Sequence, residues 1–131
     1  MENIYCKHYL LPGKVLLNMP EFKSYFSNIK SKYYFDKDHI CIHITDSIHF
    51  KVLTNECSFD LYNKYITLTK QPEHSVEIYK NLINNFNIEK MSPIKLYEEN
   101  NNLIISDGCH RLAILYFKNI YVDEKYFLLL K

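Results

Sequence analysis

Apolar residues recur at two spacings along this chain, and the changes between them outline its elements. Phe22, Tyr25, Phe26 and Ile29 follow Asn18-Met19-Pro20 at intervals of three and four, which predicts an amphipathic helix over about 20–31. Ile40, Ile42 and Ile44 alternate with His39, Cys41 and His43, the period of a strand with one buried face. Ile48 to Leu53 is apolar and β-prone, and predicts a paired strand after a turn at Asp46-Ser47. Leu61, Tyr62 and Tyr65 mark the inner side of a short helix over Asp60 to Ile66. Lys70-Gln71-Pro72-Glu73 interrupts the chain, because proline offers no amide proton and restricts the residue before it.

Beyond that break the pattern sharpens. Ser75 is a good helix cap, Glu77 falls in the first turn, and Val76, Tyr79, Leu82, Ile83 and Phe86 make one apolar stripe. Pro93 to Tyr97 predicts a strand, Glu98 to Asn102 a polar turn, and Leu103 to Ser106 the returning strand. Asp107-Gly108 ends that strand, and Cys109 to Lys118 reads as a helix with Leu112, Ala113, Leu115 and Tyr116 inward. Tyr126 to Leu130 completes the set as a final strand. The mixture predicts an α+β fold, a small mixed sheet flanked by helices. Tyr33 to Thr69 carries the weakest pattern and reads as an insertion specific to a subfamily.

Length sets the domain count: 131 residues fall well short of the ~250 at which cores usually divide, so one domain is expected. No apolar run approaches the ~18 residues of a membrane span, and Met1 to Lys14 lacks the basic-apolar-small order of a secretion leader. The four cysteines form no C-x-x-C pair, which argues against structural zinc. Together these features predict reduced thiols in a cytoplasmic protein. A net charge of +1 lacks the basic excess of a duplex-DNA-binding domain.

The cationic residues are more telling than their sum. Fifteen of the sixteen are Lys, and the single Arg is Arg111. Arg111 lies three residues from Gly108, one of only two glycines. A guanidinium offers a fixed fork of donors that lysine cannot, and glycine permits positive φ or close approach to the backbone. The segment from Ser106 to Leu112 therefore concentrates polar, reactive residues where a strand passes into a helix. First-turn amides lack intrahelical acceptors and the helix dipole adds positive potential, so phosphate is the natural ligand of such an end. Gly108 would admit the anion, the amides at Cys109 and His110 would cradle it, and Arg111 would fork onto it. A cysteine in that field is expected to be more thiolate-like than usual. Each residue also has an ordinary reading: Asp107 as helix cap, Cys109 as a small buried residue, His110 as part of a solvated face.

The run Asp107-Gly108-Cys109-His110-Arg111-Leu112-Ala113, after a Pro-Ile strand and a hairpin, resembles the signature of the ParB/sulfiredoxin superfamily. The resemblance covers about residues 70–120. It implies a ParB/sulfiredoxin-like fold, ATP or another nucleotide as ligand, and Mg²⁺ with it. Gly108-Cys109-His110-Arg111 is identical to the Gly-Cys-His-Arg motif of sulfiredoxins, which implies Cys109 as nucleophile toward a sulfinyl phosphate, with His110 and Arg111 on ATP phosphates. Sulfiredoxins usually carry Gly in place of Asp107, whereas Asp-Gly-x-His-Arg is closer to the free-serine kinases, where the Asp serves phosphate or metal. ParB proteins bind CTP through a comparable box but normally have a second Arg in place of His110 and add a DNA-reading domain. The resemblance thus implies an ATP-dependent phosphotransferase with a small-molecule acceptor. A non-catalytic nucleotide-binding module and a true sulfiredoxin are the alternatives.

Glu73-His74-Ser75 is a second candidate segment, with Glu73 as general base for an acceptor hydroxyl, and His74 and Ser75 near the nucleotide. Ordinary helix-start chemistry accounts for the same three residues. His39, Cys41 and His43 share a strand face at a spacing that suits zinc, but also suits the wetter side of a strand. Asp46, Ser47 and His49 make a Ser/His/Asp trio in composition alone.

Overall fold

A computed structural model describes residues 4–120 and 123–131. Six strands form one mixed sheet: β1 (Ile4–Tyr9), β2 (Tyr34–Asp36), β3 (His39–His43), β4 (Ile94–Glu99), β5 (Asn102–Asp107) and β6 (Phe127–Leu129). Their spatial order is β2-β3-β1-β5-β4-β6. β1 runs antiparallel to β3 and parallel to β5, while β4 runs antiparallel to β5 and parallel to β6. The helices are α1 (Pro20–Ser27), α2 (Ile48–Lys51), α3 (Phe59–Leu68), α4 (Val76–Asn84) and α5 (Cys109–Phe117). The molecule is a mixed α+β domain, and residues 4–69 supply three strands of the same sheet that the later residues complete.

The strand period decides which face is covered. Ile4, Cys6 and Leu10, with Ile40, Ile42, Ile94, Leu96 and Ile105, are buried on one side. There they meet Phe22, Tyr62, Tyr65 and Tyr79 in one cluster, and Leu112, Ala113 and Leu115 of α5 in the adjoining one. The residues between them along β1, Tyr5, Lys7 and Tyr9, are half-buried on the other face. Lys7 there pairs with Asp36 of β2 at 2.7 Å and Glu99 of β4 at 2.8 Å. Burial alone would lower the Lys7 pKa, but these two carboxylates raise it.

Most of the expected elements are present, with three differences: one expected strand is helical, and both β1 and β2 lack a counterpart among the expected elements. Ile48 to Leu53 does not form a strand: Ile48–Lys51 is helical, because the Ser47 hydroxyl caps the turn by accepting from the Phe50 amide at 3.1 Å. The segment also folds against α5, so tertiary packing outweighs its β-prone composition. The central strand, β1, has no counterpart among the expected elements. Its alternation is masked in the sequence because both of its faces carry aromatic or histidine residues. Among the described residues no helix is long and apolar enough to cross a membrane.

Candidate functional site

β5 ends at Asp107, the chain turns at Gly108 with φ of 118°, and α5 begins at Cys109. A Cβ added at Gly108 would lie 3.0 Å from Arg111 Nη2 and 3.1 Å from Ile94 Cγ1. The backbone angle favours glycine, and a side chain there would also crowd Ile94 and the Arg111 guanidinium. Among the described residues no side chain caps α5, whereas Ser47, Ser58 and Ser75 cap α2, α3 and α4. The first backbone bond of α5 is donated by Leu112 to the Gly108 carbonyl, so the amides of Cys109, His110 and Arg111 have no acceptor within the helix.

This end of α5 forms one wall of a cleft of about 500 Å³. Ser106 to Arg111 line that wall, and His8 and Tyr9 of β1 are at its floor. Tyr65, Thr69, Gln71 and His74 contribute from the α3 side, with Ile78, Tyr79 and Leu82 from α4. The volume falls within the range of small-molecule sites.

The interior of the cleft is a stack of imidazoles. His49 and His110 have ring centroids 4.0 Å apart, His74 stacks on His110 at 4.4 Å, and His8 meets His49 edge-on at 5.1 Å. Burial drives the pKa of His8 down to about 4 and that of His110 down to about 3, the latter helped by His74, His8 and Arg111. His49 is pushed well below the ordinary range by burial, then by His110, His8 and His74. These rings are therefore neutral near pH 7. The Tyr62 hydroxyl bonds the His74 carbonyl at 2.6 Å and His110 Nε2 at 2.7 Å. Its one proton goes to the carbonyl, which has none to give, so His110 Nε2 is the donor and Nδ1 keeps the lone pair. His49 Nδ1 is buried and has no hydrogen-bond partner among the described residues, in a residue 5% exposed that lines the cleft.

Arg111 is not free. Its Nη1 donates to the carbonyls of Ser92 and Pro93, and its Nη2 is 3.4 Å from Asp107 Oδ2. The Arg111 side chain is 16% exposed and that of Asp107 65%, so the ion pair lies at the mouth of the cleft. Cys109 lines the same wall, its Sγ 3.3 Å from Cys6 Sγ.

Of the expected site residues, the fold brings together Asp107, Gly108, Cys109, His110, Arg111 and His74. Glu73 and Ser75 are outside the lining: the Glu73 side chain is 64% exposed and 3.9 Å from His74 Nε2, and Ser75 caps α4 through the Ile78 amide. Asp46 and Ser47 are structural. The Asp46 carboxylate accepts from the Lys30 and Ser31 amides and pairs with buried Lys51 at 3.6 Å. Among the described residues no three His, Cys, Asp or Glu side chains are arranged to hold a metal, the His39-Cys41-His43 face included. His8, His49, Tyr65, Thr69 and Gln71 join the cleft without having been singled out for it; only the convergence of strands and helices makes them neighbours.

No protein-family model, no curated protein and no solved structure matches the chain.

Proposed function

We propose that the cleft binds the phosphates of a nucleotide, ATP with Mg²⁺, and that the protein is a phosphotransferase of the ParB/sulfiredoxin type with a small hydroxylated or sulfur-acid acceptor. The carrying observation is the start of α5, with three main-chain amides that have no acceptor within the helix at the wall of a cleft of suitable size. Arg111 stands beside those amides, and its 3.4 Å pairing is with an exposed Asp107 carboxylate that a phosphate can replace. Displaced, Asp107 would be one carboxylate facing the phosphates, the ligand set typical of Mg²⁺ in such sites. That ion would neutralise charge on the phosphate oxygens when bound.

Within this reading the amides of Cys109 and His110 orient the phosphate chain, and Arg111 offsets the charge that develops on transfer. His110 fits a different role from the phosphate contact the resemblance implies. A neutral ring whose Nε2 proton is committed to Tyr62 presents a lone pair, which suits the hydroxyl of an acceptor better than an anion. A sulfiredoxin-type reaction is the second reading, favoured by Cys109 on the cleft wall.

A thermal-shift series with ATP, ADP, CTP and GTP, each with Mg²⁺, tests the binding step, since a ligand of the folded state raises Tm. ATP should raise Tm in the wild type and not in Arg111→Ala; no shift with any nucleotide overturns the reading. Phosphoryl transfer should survive Cys109→Ser and fall by about a hundredfold in Asp107→Asn, the order expected for a charge-stabilising group. Loss of all turnover in Cys109→Ser would transfer support to the sulfur chemistry.

A further inference from the structure

We infer that Cys6 and Cys109 form a redox-active dithiol site, in which Cys109 takes an oxygen atom from a hydroperoxide and Cys6 then closes the pair into a disulfide. The two thiols are 103 positions apart in sequence, yet their sulfurs lie 3.3 Å apart where α5 begins over β1. A disulfide has its sulfurs about 2.05 Å apart, so closure needs the two sulfurs to approach by little more than 1 Å. The inference does not depend on the nucleotide reading.

The two cysteines differ in the way such a site needs. Cys109 is half-buried and lines the open cleft at the start of α5. Cys6 is fully buried on the central strand and does not line the cleft. Burial first, and then its contact with Cys109, raises the Cys6 pKa well above that of an ordinary thiol. A small oxidant entering the cleft therefore meets Cys109, and Cys6 waits behind it as a thiol. Neither other cysteine shares this arrangement: Cys41 lies on the opposite face of the sheet, across from Lys7, and Cys57 lines a separate groove with Lys51 and Lys64.

The chemistry balances in two steps. The Cys109 sulfur attacks one peroxide oxygen, the O–O bond breaks, and the departing oxygen takes up the Cys109 proton, giving a sulfenic acid and an alcohol, or water when the oxidant is hydrogen peroxide. The Cys6 sulfur then attacks the Cys109 sulfur, the S–O bond breaks, and the hydroxyl leaves as water with the Cys6 proton. The thiol pair loses two electrons and the peroxide gains them.

Peptide mapping of the full chain tests the inference. Protein reduced with dithiothreitol and desalted is exposed to hydrogen peroxide, alkylated, digested without reductant and analysed by mass spectrometry. The expected product is one cross-linked peptide pair joining Cys6 to Cys109, lighter by two hydrogens than the free thiols and lost on renewed reduction. In Cys6→Ser, Cys109 should form a sulfenic acid that dimedone captures and that, without dimedone, further peroxide carries to sulfinic acid. Cys6 is a core residue, so the wild-type cross-link is scored independently of that variant. Cys109→Ser, at the accessible partner, should leave Cys6 unmodified. Wild-type Cys109 passing to sulfinic acid with no cross-link, or pairing with Cys41 or Cys57 instead, would overturn the inference.

Discussion

Three of the imidazoles at the cleft tie stability to pH through a plain balance of protons. His8, His49 and His110 have folded pKa values below the ordinary 6.5, so the unfolded chain binds protons more readily as pH falls. Their contribution is complete above about pH 6.5 and is lost as pH falls toward the folded values, about 4 for His8 and about 3 for His110. One shift of this size corresponds to roughly 3 kcal/mol between its limits. Asp46 adds nothing in that window, because its carboxylate is itself held below its ordinary 3.8 and loses its contribution only at lower pH. Tm should therefore fall steeply between pH 6.5 and 4.5, and the fall should be shallower in His8→Gln. An unchanged Tm profile across that interval would show that these rings titrate freely. Gly108 supplies a second test at the same scale. Gly108→Ala forces a side chain into a left-handed backbone angle and against both Arg111 and Ile94, and should cost about 1–3 kcal/mol in urea unfolding. Arg111 should be pushed off the Ser92 and Pro93 carbonyls as well, so nucleotide affinity should fall more in this variant than in Gly13→Ala, where a Cβ meets nothing.

Among the elements, α2 has the least intrinsic support. It is four residues long, shorter than any helix that forms on its own, and it depends on Ser47 and on packing against α5. The Ser47 hydroxyl accepts from the Phe50 amide and donates to the Ile44 carbonyl at 2.6 Å. Ser47→Ala removes both bonds at a buried site and should cost about 1–2 kcal/mol, measured as a lower urea midpoint with an unchanged m value. The same residue shows why this region misled the sequence reading. Serine before an apolar run marks a turn and a helix cap equally, and six β-prone residues carry too few periods to distinguish strand from helix. From Ser75 to Phe117 the pattern is sharper, because α4 and α5 each span at least two turns with a clear stripe, and the hairpin follows Pro93 and turns at Asn100-Asn101. The α5 junction stood out through scarcity, the chain's single Arg falling beside one of two glycines. His8 and His49 gave no such signal. They reach His110 only because β1 and α2 converge on α5, and spacing in sequence does not encode that.

Seen as a whole, the molecule is two groups of strands held together by β1. In the order β2-β3-β1-β5-β4-β6, β1 supplies the hydrogen-bonded link between the β2-β3 ribbon and the β5-β4-β6 sheet. Lys7 adds an electrostatic link across the same seam, reaching Asp36 on one side and Glu99 on the other. Partly exposed pairs of this kind contribute at most about 1 kcal/mol each, so the ladder and the buried Ile4, Cys6 and Leu10 must hold the two groups together. Ile4→Ala should cost about 2–4 kcal/mol, as expected for a fully buried isoleucine. Deleting residues 1–9 should do more than subtract contacts. It exposes facing edges of β3 and β5 and uncovers the apolar surfaces of α2 and α5, so the remaining chain should lose its cooperative thermal transition and associate through those edges. Circular dichroism melting with size-exclusion chromatography checks this outcome. A shortened chain that still melts cooperatively as a monomer would mean that α5 and the β4-β5 hairpin fold as a unit, and that the cleft can be assembled without the strand that carries His8 and Cys6.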